Sequence, residues 1–167
     1  PTEARLLYDL TFGLLAMNGV LVGLGKEDET SDKDFTTALQ AIAKTFASLG
    51  ANDAIVALPF DSIKGRDAAW GLRAAVLAGR ESVYRSDILK SKKDNDKKGV
   101  RKVALAIPAD KAAAAKEVVA QATAVANGIA LTKDLGNLPG NVCTPTYLAN
   151  TAKKLAKDFK MQVEVLD

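Results

Sequence analysis

Cys143 is the side chain of this sequence best suited to nucleophilic chemistry, and it is the only cysteine among the 167 residues. A cysteine nucleophile needs a nearby base that holds it as the thiolate. The sequence contains no histidine, which excludes Cys-His and Ser-His-Asp catalysis and imidazole-bound zinc sites. We therefore expect Cys143 to be a small packing residue and assign no catalytic residue.

Carboxylates are the second group that could do chemistry, because Asp and Glu can hold a pair of divalent metals without histidine. The 20 acidic residues are scattered over predicted helix starts and loops. No four or five of them form a set that would face one centre. Helix capping and surface roles are the better interpretation, and no metal ligand is predicted.

The Gly-Leu-Gly-Lys sequence of residues 23–26 follows an apolar run and could suggest phosphate binding. A P-loop has the spacing G-x-x-x-x-G-K-[ST], in which backbone amides surround the phosphates and a hydroxyl reaches Mg²⁺. Here Gly19 and Gly25 are one residue too far apart, and Glu27 occupies the place of the hydroxyl. The segment is better explained as a turn at a strand end.

Residues 85–102 form a basic segment, with eight basic residues against three acidic ones and a net charge of +5. Such a segment could contact the phosphates of duplex DNA without reading sequence. It has no interleaved aromatic residues for stacking on single strands, and a solvated charged loop is the simpler alternative. The candidate DNA contacts are Arg85, Lys90, Lys92, Lys93, Lys97, Lys98, Arg101 and Lys102.

The composition is that of a globular chain, with 48% hydrophobic residues and a net charge of +3. The length suits one domain with the start of another. One cysteine rules out an intrachain disulfide framework and fits a reducing compartment. No apolar run is long enough to span a membrane, and residues 1–25 show no signal-peptide pattern.

Strand and helix patterns alternate along the chain, which predicts an α/β fold with a layered, mostly parallel sheet flanked by helices. Asn18-Gly19 favours a tight hairpin turn, and Ser31 with Asp34 predicts a capped helix start. The predicted strands are residues 6–10, 20–24, 54–58, 100–107 and 161–166, and the predicted helices are residues 31–50, 67–84, 110–135 and 144–159.

Residues 134–141, Asp-Leu-Gly-Asn-Leu-Pro-Gly-Asn, are followed by Pro145 and a helix, and this motif resembles the interdomain segment of leucyl aminopeptidases. Residues 20–27, Val-Leu-Val-Gly-Leu-Gly-Lys-Glu, look like a strand of the same family's N-terminal accessory domain. Lys-Gly-Arg at residues 64–66, with Trp70, resembles the bacterial members. The chain is thus similar to the accessory domain of a bacterial leucyl (cytosol) aminopeptidase together with its junction to the catalytic domain.

This resemblance implies a macro-domain-like accessory fold and a parent enzyme that is cytoplasmic, homohexameric and releases N-terminal amino acids from peptides. In the family, two divalent metals, manganese or zinc, lie in the catalytic domain. The signature N-T-D-A-E-G-R of that domain does not occur here, so no catalytic or metal-binding residue is transferred. The isolated chain is expected to be inactive and to serve as scaffold and in assembly.

The resemblance also predicts a domain division. Residues 1–135 would be the accessory domain, incomplete at its start, residues 136–145 the connector, and residues 146–167 the truncated first α-β unit of the catalytic domain. Some bacterial members bind DNA, which directs attention to the basic segment 85–102. ADP-ribose binding follows from macro-domain analogy alone.

Overall fold

A computed structural model describes residues 4–12, 15–24, 30–61, 63–90 and 99–166 of the chain. Within this part the fold is α/β, as the alternating pattern predicted. In chain order, the elements are strand β1 (Ala4–Phe12), β2 (Leu15–Val22), helix α1 (Asp32–Ser48), β3 (Asp53–Val56), α2 (Ala68–Val83), β4 (Lys102–Leu105), a short 3₁₀ turn (Ala109–Lys111), α3 (Ala112–Asn137) and α4 (Pro145–Phe159).

Strands β3 and β4 pair in parallel, with Asp53 opposite Lys102 and Val56 opposite Leu105. Parallel strands need a crossover connection, and here α2 lies in the crossover between them. The chain therefore brings the basic residues at the start of β4 next to β3, although about fifty positions separate them in sequence.

Strands β1 and β2 form an antiparallel pair whose register places Phe12 opposite Leu15 and Leu7 opposite Gly19. The hairpin predicted at Asn18-Gly19 is therefore wrong, because both residues lie inside β2. In this register β1 and β2 pair from Ala4 opposite Val22 to Phe12 opposite Leu15, whereas a turn at residues 18–19 would have broken β2.

The hydrophobic core is centred on the buried face of α1, where Phe35, Leu39 and Ile42 are almost fully inaccessible to solvent. The ring of Phe35 packs edge-to-face against that of Phe60, with their centroids 6.3 Å apart. The centroids of the Phe35 and Trp70 rings are 6.0 Å apart. The helical spacing predicted this face, and its burial is the main apolar contribution that fixes α1 in place.

The start of α1 has the capping box that the sequence predicted. The Ser31 side chain accepts a hydrogen bond from the Asp34 N–H, and the Asp34 carboxylate accepts one from the Ser31 N–H. The predicted stop at Gly50 lies too late, because α1 ends at Ser48 with Leu49 in an extended conformation.

Two predictions near the end of the chain differ from the structure. Helix α3 continues to Asn137 instead of ending at residue 135, and Pro139 then prevents its continuation. Residues 161–166 contain no strand. Their alternating pattern needs a neighbouring strand to pair with, and none of the described strands lies beside them. In the described part, no helix combines the length and apolar character required to cross a membrane.

Candidate functional site

The basic segment predicted from sequence is only partly brought together by the fold. Lys92, Lys93, Lys97 and Lys98 lie outside the described residues. The Lys90 ammonium pairs with the Asp87 carboxylate at 2.6 Å. The remaining three residues, Arg85, Arg101 and Lys102, are exposed.

Arg101 is positioned by backbone contacts with the end of α1 and with the residues before β3. The Arg101 N–H donates to the Asn52 carbonyl at 2.7 Å, and the Val100 N–H donates to the Phe46 carbonyl at 3.1 Å. Gly99 passes so close to α1 that a Cβ there would be 3.2 Å from the Phe46 and Ala47 carbonyl oxygens. The Val100 bond satisfies the Phe46 carbonyl in the last turn of α1, and the contacts together hold the segment leading into β4 at that helix end.

Arg101 and Arg85 line one cavity of about 620 Å³ between α1, α2, α3 and the parallel strands. Its walls are mainly apolar, and the charged members of its described lining are Arg80, Arg85 and Arg101. Val103 lines the cavity. Because successive side chains point to opposite faces of a strand, the side chain of Lys102 lies on the face of β4 that is turned away from the cavity. The fold thus brings two of the eight predicted basic residues to the cavity and places a third on the other face of the strand.

Arg80 was not among the residues predicted from sequence. It lies on α2 four positions after Val76 and three before Val83, and all three line the cavity. This spacing places the three residues on one helical face, so a signal was present. The spacing alone does not identify Arg80, because the sequence does not reveal which face of α2 borders a cavity.

A polar cluster joins the C-terminal ends of α2 and α3. The Tyr84 hydroxyl donates to the Asp134 carboxylate at 3.0 Å and accepts from the Asn137 side-chain amide at 3.1 Å. The Lys133 ammonium pairs with the Glu81 carboxylate and lies 5.1 Å from the centroid of the Tyr84 ring. The cluster holds the two helix ends together where the segment after α3 begins.

The segment between α3 and α4 is held by local hydrogen bonds. The Pro139 carbonyl accepts from the N–H groups of Val142 and Cys143, both at 2.9 Å. The Thr144 side chain then accepts from the Tyr147 N–H at 3.2 Å and caps α4. Cys143 is half-buried in this turn, whose backbone bonds make a compact connection between the two helices.

Several carboxylates take part in ion pairs and caps. Asp32 accepts two hydrogen bonds from Arg66 Nε, at 3.1 and 3.0 Å, and a third from its Nη2, and these bonds lower the pKa of Asp32 while raising that of Arg66. The hydrogen bond from Lys111 lowers the pKa of Asp61.

No group of three or more His, Cys, Asp or Glu residues that could hold a metal ion occurs within the described residues. The described lining of the cavity is mainly apolar with three arginines, which suits binding through apolar contacts and arginine N–H groups, and it contains no Asp, Glu, His or Lys that could act as a general base.

Comparisons with known proteins connect this architecture to peptidases. Residues 4–93 match the family described as "Cytosol aminopeptidase family, N-terminal domain". A "Probable cytosol aminopeptidase" of Herminiimonas arsenicoxydans is 62% identical over 87% of this chain and 29% of its own length. One from Ralstonia pickettii (strain 12J) is 45% identical over 96% of this chain and 33% of its own length. The chain thus spans about a third of the length of these curated relatives.

Solved structures share the fold at lower sequence identity. The bottromycin maturation enzyme BotP superposes with a TM-score of 0.71 at 23% identity, covering 97% of this chain and 32% of that chain. A mutant of tomato leucine aminopeptidase superposes with a TM-score of 0.65, also at 23% identity, covering 95% of this chain and 30% of that chain.

Proposed function

Because this chain belongs to the cytosol aminopeptidase family, we propose that it is the N-terminal part of an enzyme that releases N-terminal amino acids from peptides. The match of residues 4–93 to the N-terminal domain of that family carries the proposal. The relatives are about three times as long as the aligned region, and the hydrolytic site belongs to their remaining two thirds. Their names also support a cytoplasmic location.

The two divalent metals that the resemblance implies do not fit the residues of this chain. The sequence has no histidine and no N-T-D-A-E-G-R signature. The carboxylates of Asp32 and Asp61 are each paired with a basic side chain. We therefore assign manganese or zinc to the catalytic region of the parent enzyme and derive no catalytic step in this chain.

The role that we propose for this chain is scaffolding and assembly of a homohexamer. The polar cluster between the ends of α2 and α3 supports this role, because it stiffens the chain just before the connecting segment. In this proposal residues 1–135 are the accessory domain, residues 136–145 the connector, and residues 146–167 the first unit of the catalytic domain.

Peptidase assays test this division of labour. The 167-residue chain is expected to show no leucine-p-nitroanilide turnover with added Mn²⁺, whereas the longer protein, carrying N-T-D-A-E-G-R downstream, should hydrolyse the same substrate. Size-exclusion chromatography with light scattering on the longer protein should give a hexamer. Turnover by the 167-residue chain, from a preparation free of the longer protein, would show that the chain contains an active site after all.

A second candidate function is binding of duplex DNA through the basic segment 85–102. Its net charge of +5 favours this, and the exposed side chains of Arg101 and Lys102 support it. Each lysine that neutralises a phosphate contributes about 0.9 to the slope of log K against log salt. Replacing four lysines of the segment by Ala should thus reduce the slope by roughly 3–4.

A matched control exists for the DNA experiment. Four exposed lysines lie on α4 and directly after it: Lys153, Lys154, Lys157 and Lys160. Replacing these by Ala removes the same charge and should leave the slope unchanged. If both quadruple variants, K92A/K93A/K97A/K98A and the α4 set, change the slope equally, binding reflects total charge and not the basic segment.

A further inference from the structure

The cavity between the helices and the parallel strands is lined mainly by apolar side chains, as small-molecule binding sites are. Leu39 and Ile42 of α1, Val56 of β3 and Val119 of α3 are among its lining residues. Its volume of about 620 Å³ falls within the range of roughly 300–1,000 Å³ that is usual for small-molecule sites. An apolar molecule entering it would be removed from water on several sides at once.

The charged residues in the described part of the cavity lining are all basic. Arg80, Arg85 and Arg101 belong to the described lining residues, and no Asp or Glu does. An apolar cavity whose charged residues, within the described lining, are all arginines favours an anion over a cation.

The three guanidinium groups retain donors for a ligand. Arg80 Nη2 donates to Asn127 Oδ1 at 2.6 Å. Arg85 Nη1 donates to the Ser82 and Tyr84 carbonyls. Arg101 makes no side-chain hydrogen bond or ion pair with the described residues. Each guanidinium has five N–H donors, so all three can still bind an anionic group.

The uncharged polar groups of the lining argue against a nucleotide. The Ser82 hydroxyl donates to the Gly79 carbonyl and the Thr123 hydroxyl to the Val119 carbonyl, both at 2.7 Å within their own helices. No Asn, Gln, Asp or Glu belongs to the described lining, so the edge of a nucleobase would find few partners. An aliphatic chain, in contrast, needs no hydrogen-bond partner.

We propose that this cavity binds an aliphatic anion, with the hydrocarbon chain between α1, α2 and the parallel strands and the anionic head on Arg101, assisted by Arg80 and Arg85. A carboxylate and a phosphate monoester share the required chemistry, because both pair with a guanidinium through two parallel hydrogen bonds. This site is independent of the peptidase activity proposed above and of its metals.

Calorimetric titration of the full 167-residue chain tests the proposal with three probes of equal chain length. Decanoate and decyl phosphate should bind, and decylammonium should not. The ratio of the two anionic affinities then distinguishes a carboxylate from a phosphate ligand. Equal binding of decanoate and decylammonium would overturn the proposal, as would the absence of binding by both anions, which would mean that another part of the protein fills the cavity.

Two glycines provide a matched pair of variants for locating the site. Gly79 lines the cavity on α2, and Gly128 lies on α3 outside the described lining. A Cβ at either position would meet no atom within 4 Å. Gly79→Leu should abolish decanoate binding, whereas Gly128→Leu should leave it unchanged. Binding that survives Gly79→Leu in a folded protein places the ligand elsewhere and overturns the proposal.

Substitution of Arg101 separates the charged contact from the apolar one and does not depend on the fold of the Gly79 variant. Arg101→Gln should weaken decanoate binding roughly tenfold, the loss expected for a hydrogen bond to a charged group. Lys102→Gln removes the same charge from the other face of the strand and should have little effect. If both substitutions weaken binding equally, the attraction is nonspecific and the proposed head-group contact is wrong.

Discussion

The Tyr84 hydroxyl donates a hydrogen bond of 3.0 Å to the Asp134 carboxylate across fifty positions of sequence. Tyr84 is the C-cap residue directly after α2, and Asp134 lies in the last turn of α3. Asn137 donates to the same hydroxyl oxygen at 3.1 Å. One phenol group therefore connects the ends of two helices immediately before the segment that leads to α4.

Replacing Tyr84 by Phe should lower the free energy of unfolding by about 1 kcal/mol, because it removes the hydroxyl and its hydrogen bonds to Asp134 and Asn137 and keeps the ring. Urea denaturation of the variant measures this change. Tyr147→Phe is the control, since the Tyr147 hydroxyl bonds to none of the described residues, and it should change stability little. Equal effects of the two substitutions would show that the Tyr84 contacts contribute nothing specific.

Gly71 is required because α2 approaches the Phe60 backbone closely. A Cβ at Gly71 would lie 2.7 Å from the Phe60 carbonyl oxygen and 3.3 Å from Ile63 Cδ1. Gly71→Ala should therefore destabilise the protein by roughly 1–3 kcal/mol, as overpacking does. Gly128→Ala, at an open helical position, should instead stabilise it by up to about 1 kcal/mol. In thermal melts, the melting temperature of Gly71→Ala should lie below that of the unchanged protein and that of Gly128→Ala at or above it; a shift of both variants in the same direction would contradict this assignment.

The capping box at the start of α1 should contribute measurably to stability. Ser31→Ala removes the side-chain acceptor of the Asp34 N–H and should lower the free energy of unfolding by about 1 kcal/mol. Ser86→Ala is the control, because Ser86 is exposed and its hydroxyl bonds to none of the described residues. Chemical denaturation that gives the same midpoint for Ser31→Ala and the unchanged protein would contradict the assigned cap.

The Asp32–Arg66 pair predicts how stability depends on pH. The hydrogen bonds from Arg66 lower the pKa of Asp32 in the folded protein below the unfolded value of about 3.9. As the pH falls, Asp32 therefore takes up its proton in the unfolded chain before it does so in the folded protein. The stabilisation from the Asp32–Arg66 pair is thus fully present above about pH 4 and is lost below it.

Arg66→Gln isolates this contribution. The denaturation midpoint of the variant should lie below that of the unchanged protein at neutral pH, and the two should converge as the pH falls through the folded pKa of Asp32. Arg73→Gln, at an exposed position on α2, should not change the pH profile. A gap between Arg66→Gln and the unchanged protein that stays constant down to about pH 3 would contradict the electrostatic assignment.

Elements with strong local signals were predicted well from the sequence. The Ser31 cap and the helical spacing of Phe35, Leu39 and Ile42 predicted α1 and its buried face, which the structure confirms. Thr144 followed by Pro145 predicted the start of α4 in the same way. In each case a cap or a periodic apolar face is a property of neighbouring residues and needs no distant partner.

The strands β3 and β4 were predicted close to their observed positions, but two features that depend on a pairing partner were predicted wrongly. The turn at Asn18-Gly19 failed because the pairing of β1 with β2 decided the register. The alternating residues 161–166 were predicted as a strand, but a strand forms only beside another one, and they lie beside none of the described strands. Local propensity is weaker than pairing in both places.

The sequence by itself determined the family and the order of helices, because the motif at residues 134–141 and the match of residues 4–93 depend only on which residues follow one another. Only the tertiary structure decided that Arg80, Arg85 and Arg101 line one cavity while Lys102 faces away from it. The parallel pairing of β3 with β4 and the contact of residues 99–101 with the end of α1 bring these arginines together. Such contacts join residues far apart in the chain, and no local periodicity encodes them.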